Sequence, residues 1–398
     1  MPPFASWVLS AIVGLAALRP APPPAGPTVV AVAGETHRLI LLSDGTVVGW
    51  GNLGEGRLGP GAVPVPGSPF RSSRVTIPLP GRAIGIAANE ATSYALLDDG
   101  SVWAFGRGWN GQLGVGTGTR ESASPVRVKN LGRTVQIVAT GLTALALQED
   151  GTVRAWGSRA KGLIGDGKVP RTYGDAAPDA PLPVPVPGAT GITRLAAGAD
   201  HILALTTDGR VLAWGSNFGG ALGRAPRQEI PIDSVGAVPG LADVVAIAAG
   251  SAVSSAVRKD GTVWVWGSNW HGQFGNGQRT DPPNMTRNWE LVPQPVPGVS
   301  GAVAIAIGIT GRHTLVLLRD GTLRGWGNTD WGQLGGGLAA TFQPRVMTPR
   351  VSGIREIFAA GNNSYAVGAD GSFWAWGAGR QDDLLLAHTK VPMKVAVQ

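Results

Sequence analysis

The 398 residues contain no cysteine. Disulfide scaffolds, zinc–thiolate centres and thiol nucleophiles are therefore excluded. Tyrosine (3) and methionine (4) are scarce, and charged residues reach only 15%. The five histidines include no pair at metal-ligand spacing, so no metal site is expected. Long apolar stretches are also missing. The longest, Phe4 to Leu18, falls short of the about 20 residues that a membrane-spanning helix needs, so no stable membrane span is expected. The chain carries a net charge of +7, but its arginines are scattered and no Lys/Arg run occurs. A nucleic-acid partner is accordingly not expected.

The N-terminal segment stands apart. Residues 1–27 combine the apolar stretch with a Pro-rich linker, Arg19 to Pro27. The length suits the apolar region of a signal peptide, which predicts a secreted or extracytoplasmic protein. No lysine or arginine precedes the stretch, so an apolar arm on a cytoplasmic protein is the alternative.

What the chain has in abundance is glycine (61) and proline (31), beside 43% hydrophobic residues and 14 tryptophans. Disorder does not fit that hydrophobic content. Turn-rich all-β structure does, because glycine and proline then occupy hairpins and connections.

Order appears as a repeat. Asp-Gly recurs at 44/45, 99/100, 150/151, 208/209, 260/261, 320/321 and 370/371. Five residues after each glycine an aromatic-glycine pair follows: Trp50-Gly51, Phe105-Gly106, Trp156-Gly157, Trp214-Gly215, Trp266-Gly267, Trp326-Gly327 and Trp376-Gly377. Asp-Gly between alternating apolar residues predicts a type I′ hairpin. Upstream lies a strand of small residues, such as Val244–Ala249. Downstream lies a Pro-punctuated strand, which proline confines to a sheet edge. Four strands per unit and seven units predict an all-β fold, a seven-bladed β-propeller over residues 28–398. The first unit starts in its inner strand and the chain ends in a further strand, Thr389 to Val395. That strand is expected to close the ring by pairing into the first blade.

The glycine-bounded turns Gly111-Gln-Leu-Gly114, Gly272-Gln-Phe-Gly275 and Gly332-Gln-Leu-Gly335 carry a family signature. Looser copies stand at Gly56–Gly59, Gly162–Gly165 and Gly220–Gly223. With these turns and Ala-Gly pairs such as Ala197-Gly198, residues 28–398 resemble the regulator of chromosome condensation repeat family. The seventh copy, Gln381 to Leu384, has lost the glycine turn.

Residues that look chemical read as scaffold. His37, His201 and His313 share one repeat position, as do the aspartates of the Asp-Gly pairs. The two Gly-x-Gly-x-x-Gly matches, at 54–59 and 106–111, overlap the glycine turns and open no helix, so they give no dinucleotide site. No catalytic residue and no cofactor are expected.

A second aromatic set is not explained by the repeat. Trp109, Phe218 and Trp270 follow the repeat aromatic by four residues and Trp331 by five. Irregular insertions at 60–74, 166–181, 224–237 and 276–292 follow the same turns and carry Tyr173, Arg279, Arg287 and Trp289. With His271, these nine residues form the candidate partner-binding set, since Trp, Tyr and Arg dominate binding hot spots. The expected function is a non-enzymatic, monomeric module that recognises a protein partner on its loop face. The family resemblance implies an alternative, guanine-nucleotide exchange on a small GTPase, for which no residue of this chain can be assigned.

Overall fold

The computed structural model describes residues 26–65, 68–168, 179–224, 232–278, 289–310, 312–337, 340–378 and 389–396. The apolar N-terminal stretch, with its signal-peptide reading, lies outside them, as do Tyr173, Arg279 and Arg287. The described residues form seven antiparallel sheets arranged as blades. Each contains four main strands paired from the inside outward in chain order. In the fifth blade these are Val244–Ala249, Val253–Arg258, Val263–Ser268 and Trp289–Pro295. The first blade adds a short fifth strand, Pro64–Val65, beyond its outer strand. Among the described residues no helix is long and apolar enough to cross a membrane.

The Asp-Gly hairpins differ from the expected type I′. Gly261 sits at φ +80°, but Asp260 keeps an ordinary negative φ. The Gly261 N–H donates to the Arg258 carbonyl at 2.9 Å, and the Arg258 N–H donates to the Thr262 carbonyl at 3.0 Å. This is a three-residue loop, a type I turn closed by a glycine bulge. One positive φ is needed, not two, and the aspartate serves as an acceptor. Its Oδ1 receives the Thr262 N–H at 2.9 Å and the Thr262 hydroxyl at 2.6 Å.

The repeat aromatics make the ring. Trp50, Phe105, Trp156, Trp214, Trp266, Trp326 and Trp376 are all buried. Each inserts between its own blade and the preceding one. Trp266 of the fifth blade packs with Leu222 and Val238 of the fourth. Burial of so large a side chain is worth several kcal/mol gross. The glycine after each aromatic is dictated by backbone. Gly157 has φ +105°, and a Cβ there would meet the Leu142 carbonyl oxygen far inside van der Waals distance.

Ring closure corrects the sequence expectation. The terminal strand Thr389–Lys394 pairs with Phe373–Gly377 as the outer strand of the seventh blade, not with the first. The reason is phase. Every unit runs from inner to outer strand, so each unit is one whole blade and the first supplies its own outer strand, Ser68–Thr76. The ends meet instead by packing. Val29, Ile40 and Trp50 of the first blade share a core with Tyr365, Val367 and Phe373 of the seventh. Buried Arg38 spans the seam, donating to the Tyr365 hydroxyl and the Ala360 carbonyl, both at 3.3 Å. Just past the last strand, the Ala396 carbonyl accepts from Arg74 of the first blade at 3.0 Å.

Candidate functional site

The Asp-Gly hairpins and the connections between blades lie at one end of the ring. The glycine-bounded turns and the loops joining inner to second strands lie at the other, the loop face. The hairpin aspartates are satisfied within their own turns. Hydrogen bonds from the following Thr or Ser hydroxyl, then backbone N–H, hold Asp150, Asp260 and Asp320 below the usual carboxylate range. They are spaced around the ring and are not paired for acid–base work.

The repeat histidines are inter-blade struts. His201 Nε2 lies 2.8 Å from Ser254 Oγ of the next blade, and that hydroxyl donates to the Ala221 carbonyl at 2.7 Å. The single hydroxyl proton is thereby used, so the imidazole donates from Nε2. The same relay joins His37 through Ser93 to the Arg57 carbonyl, and His313 through Ser364 to the Gln333 carbonyl. Burial, with Arg57 and Arg38 nearby, lowers the His37 pKa to about 3. Burial alone lowers that of His201 to about 4. The tryptophans use the same carbonyls: Trp266 Nε1 donates to Ala221 and Trp376 Nε1 to Gln333, at 2.8 and 2.6 Å. One carbonyl of each turn thus anchors the neighbouring blade.

The turns themselves are rigid. The Asn217 side-chain oxygen accepts the Leu222 N–H at 3.0 Å, and Asn269 does the same for Phe274. The glutamine of the repeat turn accepts the N–H two residues before it, in Gln273 to His271 and Gln333 to Trp331. Each turn then lies on the next blade's outer strand. A Cβ on Gly272 would come within 2.6 Å of the Pro344 Cα. Residues just ahead of that glycine are therefore held at fixed positions on the loop face.

On this frame the aromatic candidates sort into two groups. Phe218, Trp270 and Trp289 form one cluster straddling the fourth and fifth blades. Phe218 meets Trp270 edge-on with centroids 5.7 Å apart and Trp289 at 5.5 Å, while Trp270 and Trp289 are 6.5 Å apart. Phe218 remains 46% exposed. Trp109 and Trp331 occupy the equivalent turns of the second and sixth blades and are 61% and 46% exposed. The structure does not bring Trp109 into the cluster; it lies under the Arg107 guanidinium, 5.3 Å from the ring centroid.

His271 faces the opposite side of its turn. Its Nε2 accepts from Arg312 of the sixth blade at 3.0 Å, and its ring meets Phe342 edge-on at 5.4 Å. Phe342 and Arg312 escaped the sequence reading. A signal for Phe342 existed: it pairs with Asn328 as Trp289 pairs with Ser268, the same register position one blade on. No such signal marks Arg312. Among the described residues no cluster of three or more His, Asp or Glu side chains is placed to hold a metal ion.

The comparisons with known proteins agree with this architecture. The RCC1-like domain model matches residues 130–397, and the model of the regulator of chromosome condensation (RCC1) repeat matches 99–147. The chain belongs to the RCC1-like domain family. Among curated relatives it is 30% identical over 312 residues to the ultraviolet-B receptor UVR8 of Arabidopsis thaliana, covering 77% of this chain and 67% of that protein. It is 25% identical over 348 residues to the human E3 ubiquitin-protein ligase HERC2, covering 84% of this chain but 7% of HERC2. Among solved structures, yeast RCC1 (Prp20), crystallised bound to Kap60, superposes with a TM-score of 0.70 at 24% identity, over 87% of this chain and 82% of that one. Human WBSCR16 gives 0.68 at 21% identity, over 88% and 92%. At these identities the structural likeness establishes the RCC1-like fold alone.

Proposed function

We propose that this RCC1-like propeller is a non-enzymatic recognition module that docks a protein partner on its loop face. The observation that carries this reading is the Phe218–Trp270–Trp289 cluster. Three large aromatic rings from two adjacent blades meet on the loop face, and Phe218 at its edge is half exposed. Phe218 and Trp270 stand on turns fixed by side-chain hydrogen bonds and Trp289 on a paired strand, so little ordering entropy is lost on binding. Exposed apolar patches on rigid scaffolds mark interaction sites, and aromatic anchors supply most of the affinity at such sites. The titles of structural relatives record protein partners, Kap60 for yeast RCC1 and Gsp1p and histones for Prp20p; for this chain they support only the kind of role.

Affinity capture beside two variants tests the reading. Trp270→Ala with Trp289→Ala should abolish capture of a protein that wild type retains. Arg210→Ala with Lys259→Ala, on the opposite end, should leave it intact. Loss with the second pair alone would move the site to the hairpin end. Guanine-nucleotide exchange is the competing activity, and it is distinguished by release of labelled nucleotide from small GTPases.

A further inference from the structure

We infer that the loop-face site recognises an extended peptide segment in which an apolar side chain stands a few residues from acidic ones. This deepens the protein-docking reading and rests on it. The aromatic cluster is continuous, through the Trp270-His271 step of one turn, with a cationic patch on the sixth blade. There the Arg312 guanidinium donates to His271 Nε2 at 3.0 Å, and Phe342 closes the other side of the imidazole. A second guanidinium belongs to the outer strand of the same blade. Arg345 is exposed, its backbone bridges to Asn276, and its side chain runs along Gly277. Neither Arg312 nor Arg345 has an acidic partner among the described residues. Half-buried Arg224 of the fourth blade is bonded differently, donating to the carbonyls of Ala213 and Ser234. Arg312 also holds a left-handed backbone, φ +52°. Such a conformation is uncommon in a non-glycine residue and is concentrated at ligand clamps.

Three carboxylates stand around the strip: Glu290 follows Trp289 on the cluster's rim, Asp330 accepts from Asn328 in the sixth-blade turn, and Glu35 accepts the Thr310 N–H at 3.2 Å. The strip thus carries two guanidiniums, one of them bonded to His271, that no described carboxylate neutralises. Charge complementarity sets the polarity of the occupant: an apolar residue seated against Phe218, Trp270 and Trp289, and carboxylates reaching Arg312 and Arg345. A planar guanidinium accepts a carboxylate through two parallel N–H donors. Single-stranded nucleic acid fits less well. Base stacking needs open ring faces in series, whereas these rings cover one another edge-on or tilted.

The test pans a random twelve-residue peptide-display library on the full chain, then measures synthetic peptides by fluorescence anisotropy. Enriched sequences should carry Asp or Glu within about four residues of Phe, Leu or Trp. The Arg312→Glu, Arg345→Glu double variant should weaken the best peptide at least about tenfold, and Trp270→Ala by a similar factor. Replacing the peptide's acids with amides should reproduce the arginine effect. Melting curves of the variants confirm that they fold, and Arg312→Gln with Arg345→Gln serves if the charge reversals do not. Peptides that need Trp270 but show no acidic preference would overturn this inference and leave the docking surface standing. No enrichment would overturn both. Tighter binding of a labelled oligothymidylate than of any peptide, or self-association lost on Trp270→Ala, would replace the peptide with a nucleic acid or a second copy of the chain.

Discussion

His201 of the fourth blade hydrogen-bonds Ser254 of the fifth at 2.8 Å, and Ser254 returns the bond to the fourth blade at Ala221. The neighbours are tied by a loop of hydrogen bonds in which the imidazole must stay neutral. A protonated ring would bury a charge beside an already occupied hydroxyl. Stability should therefore depend on pH. An unfolded histidine titrates near 6.5, while His37 and His201 in the fold titrate near 3 and 4. Between those values the unfolded chain takes up protons that the native ring refuses. The contribution is fully present above 6.5 and is lost as pH falls, at about 1.4 kcal/mol per unit for each histidine. Glu35 and Glu356 oppose it, since burial raises their pKa values. The difference between wild type and His201→Gln isolates the term. Urea midpoints at pH 7 and pH 5 should show a wild-type drop that the variant lacks in part. Equal drops would mean that His201 is not held neutral.

The repeat tryptophans should dominate stability. Trp214 is fully buried, and its Nε1 donates to the Leu163 carbonyl of the preceding blade at 3.0 Å. Trp214→Ala removes both packing and bond and should cost about 3–5 kcal/mol, read as a lower denaturation midpoint. An unchanged midpoint would contradict the wedge role.

Two glycines with the same φ, +105°, separate backbone strain from steric contact. A Cβ on Gly157 would press on the Leu142 carbonyl, whereas Gly116 has nothing within 4 Å. Gly116→Ala should cost about 1–2 kcal/mol from conformation alone. Gly157→Ala should cost clearly more, because the strand must move. Equal costs would show that the third strand yields locally.

The seam offers a further test. Deleting residues 389–398 strips the seventh blade of its outer strand and removes the Arg74 contact to Ala396. Arg38→Ala leaves the strands intact but opens the buried bonds to Tyr365 and Ala360. Each should lower the melting temperature, Arg38→Ala by about 2–4 kcal/mol of stability. A deletion that melts like the full chain would remove the seventh blade's outer strand from the stability of the ring.

The architecture was legible because each blade repeats the same local rules. Seven aromatic-glycine pairs at a fixed offset from seven Asp-Gly turns leave no other count. Phase was not legible: a circular array can be cut between any two strands, and only the pairing of Thr389–Lys394 shows where. The turn type was misread because Asp-Gly suits both hairpins, and only the φ of the aspartate tells them apart. Trp270 and Phe218 could be picked out as departures from the repeat, yet nothing in their spacing showed that adjacent blades bring them to 5.7 Å. Arg312 was invisible for the same reason. It reaches His271, 41 residues away, only because neighbouring loops meet at the rim.

Hydrogen exchange on the protein with and without its captured partner tests the central claim most directly. Binding on the loop face should protect amides in the turns 216–224 and 268–278 and around residues 289–292. The hairpins at 207–210 and 259–262, on the other end of the same blades, should exchange as before. Protection at those hairpins with none at the turns would contradict the assignment of the docking surface.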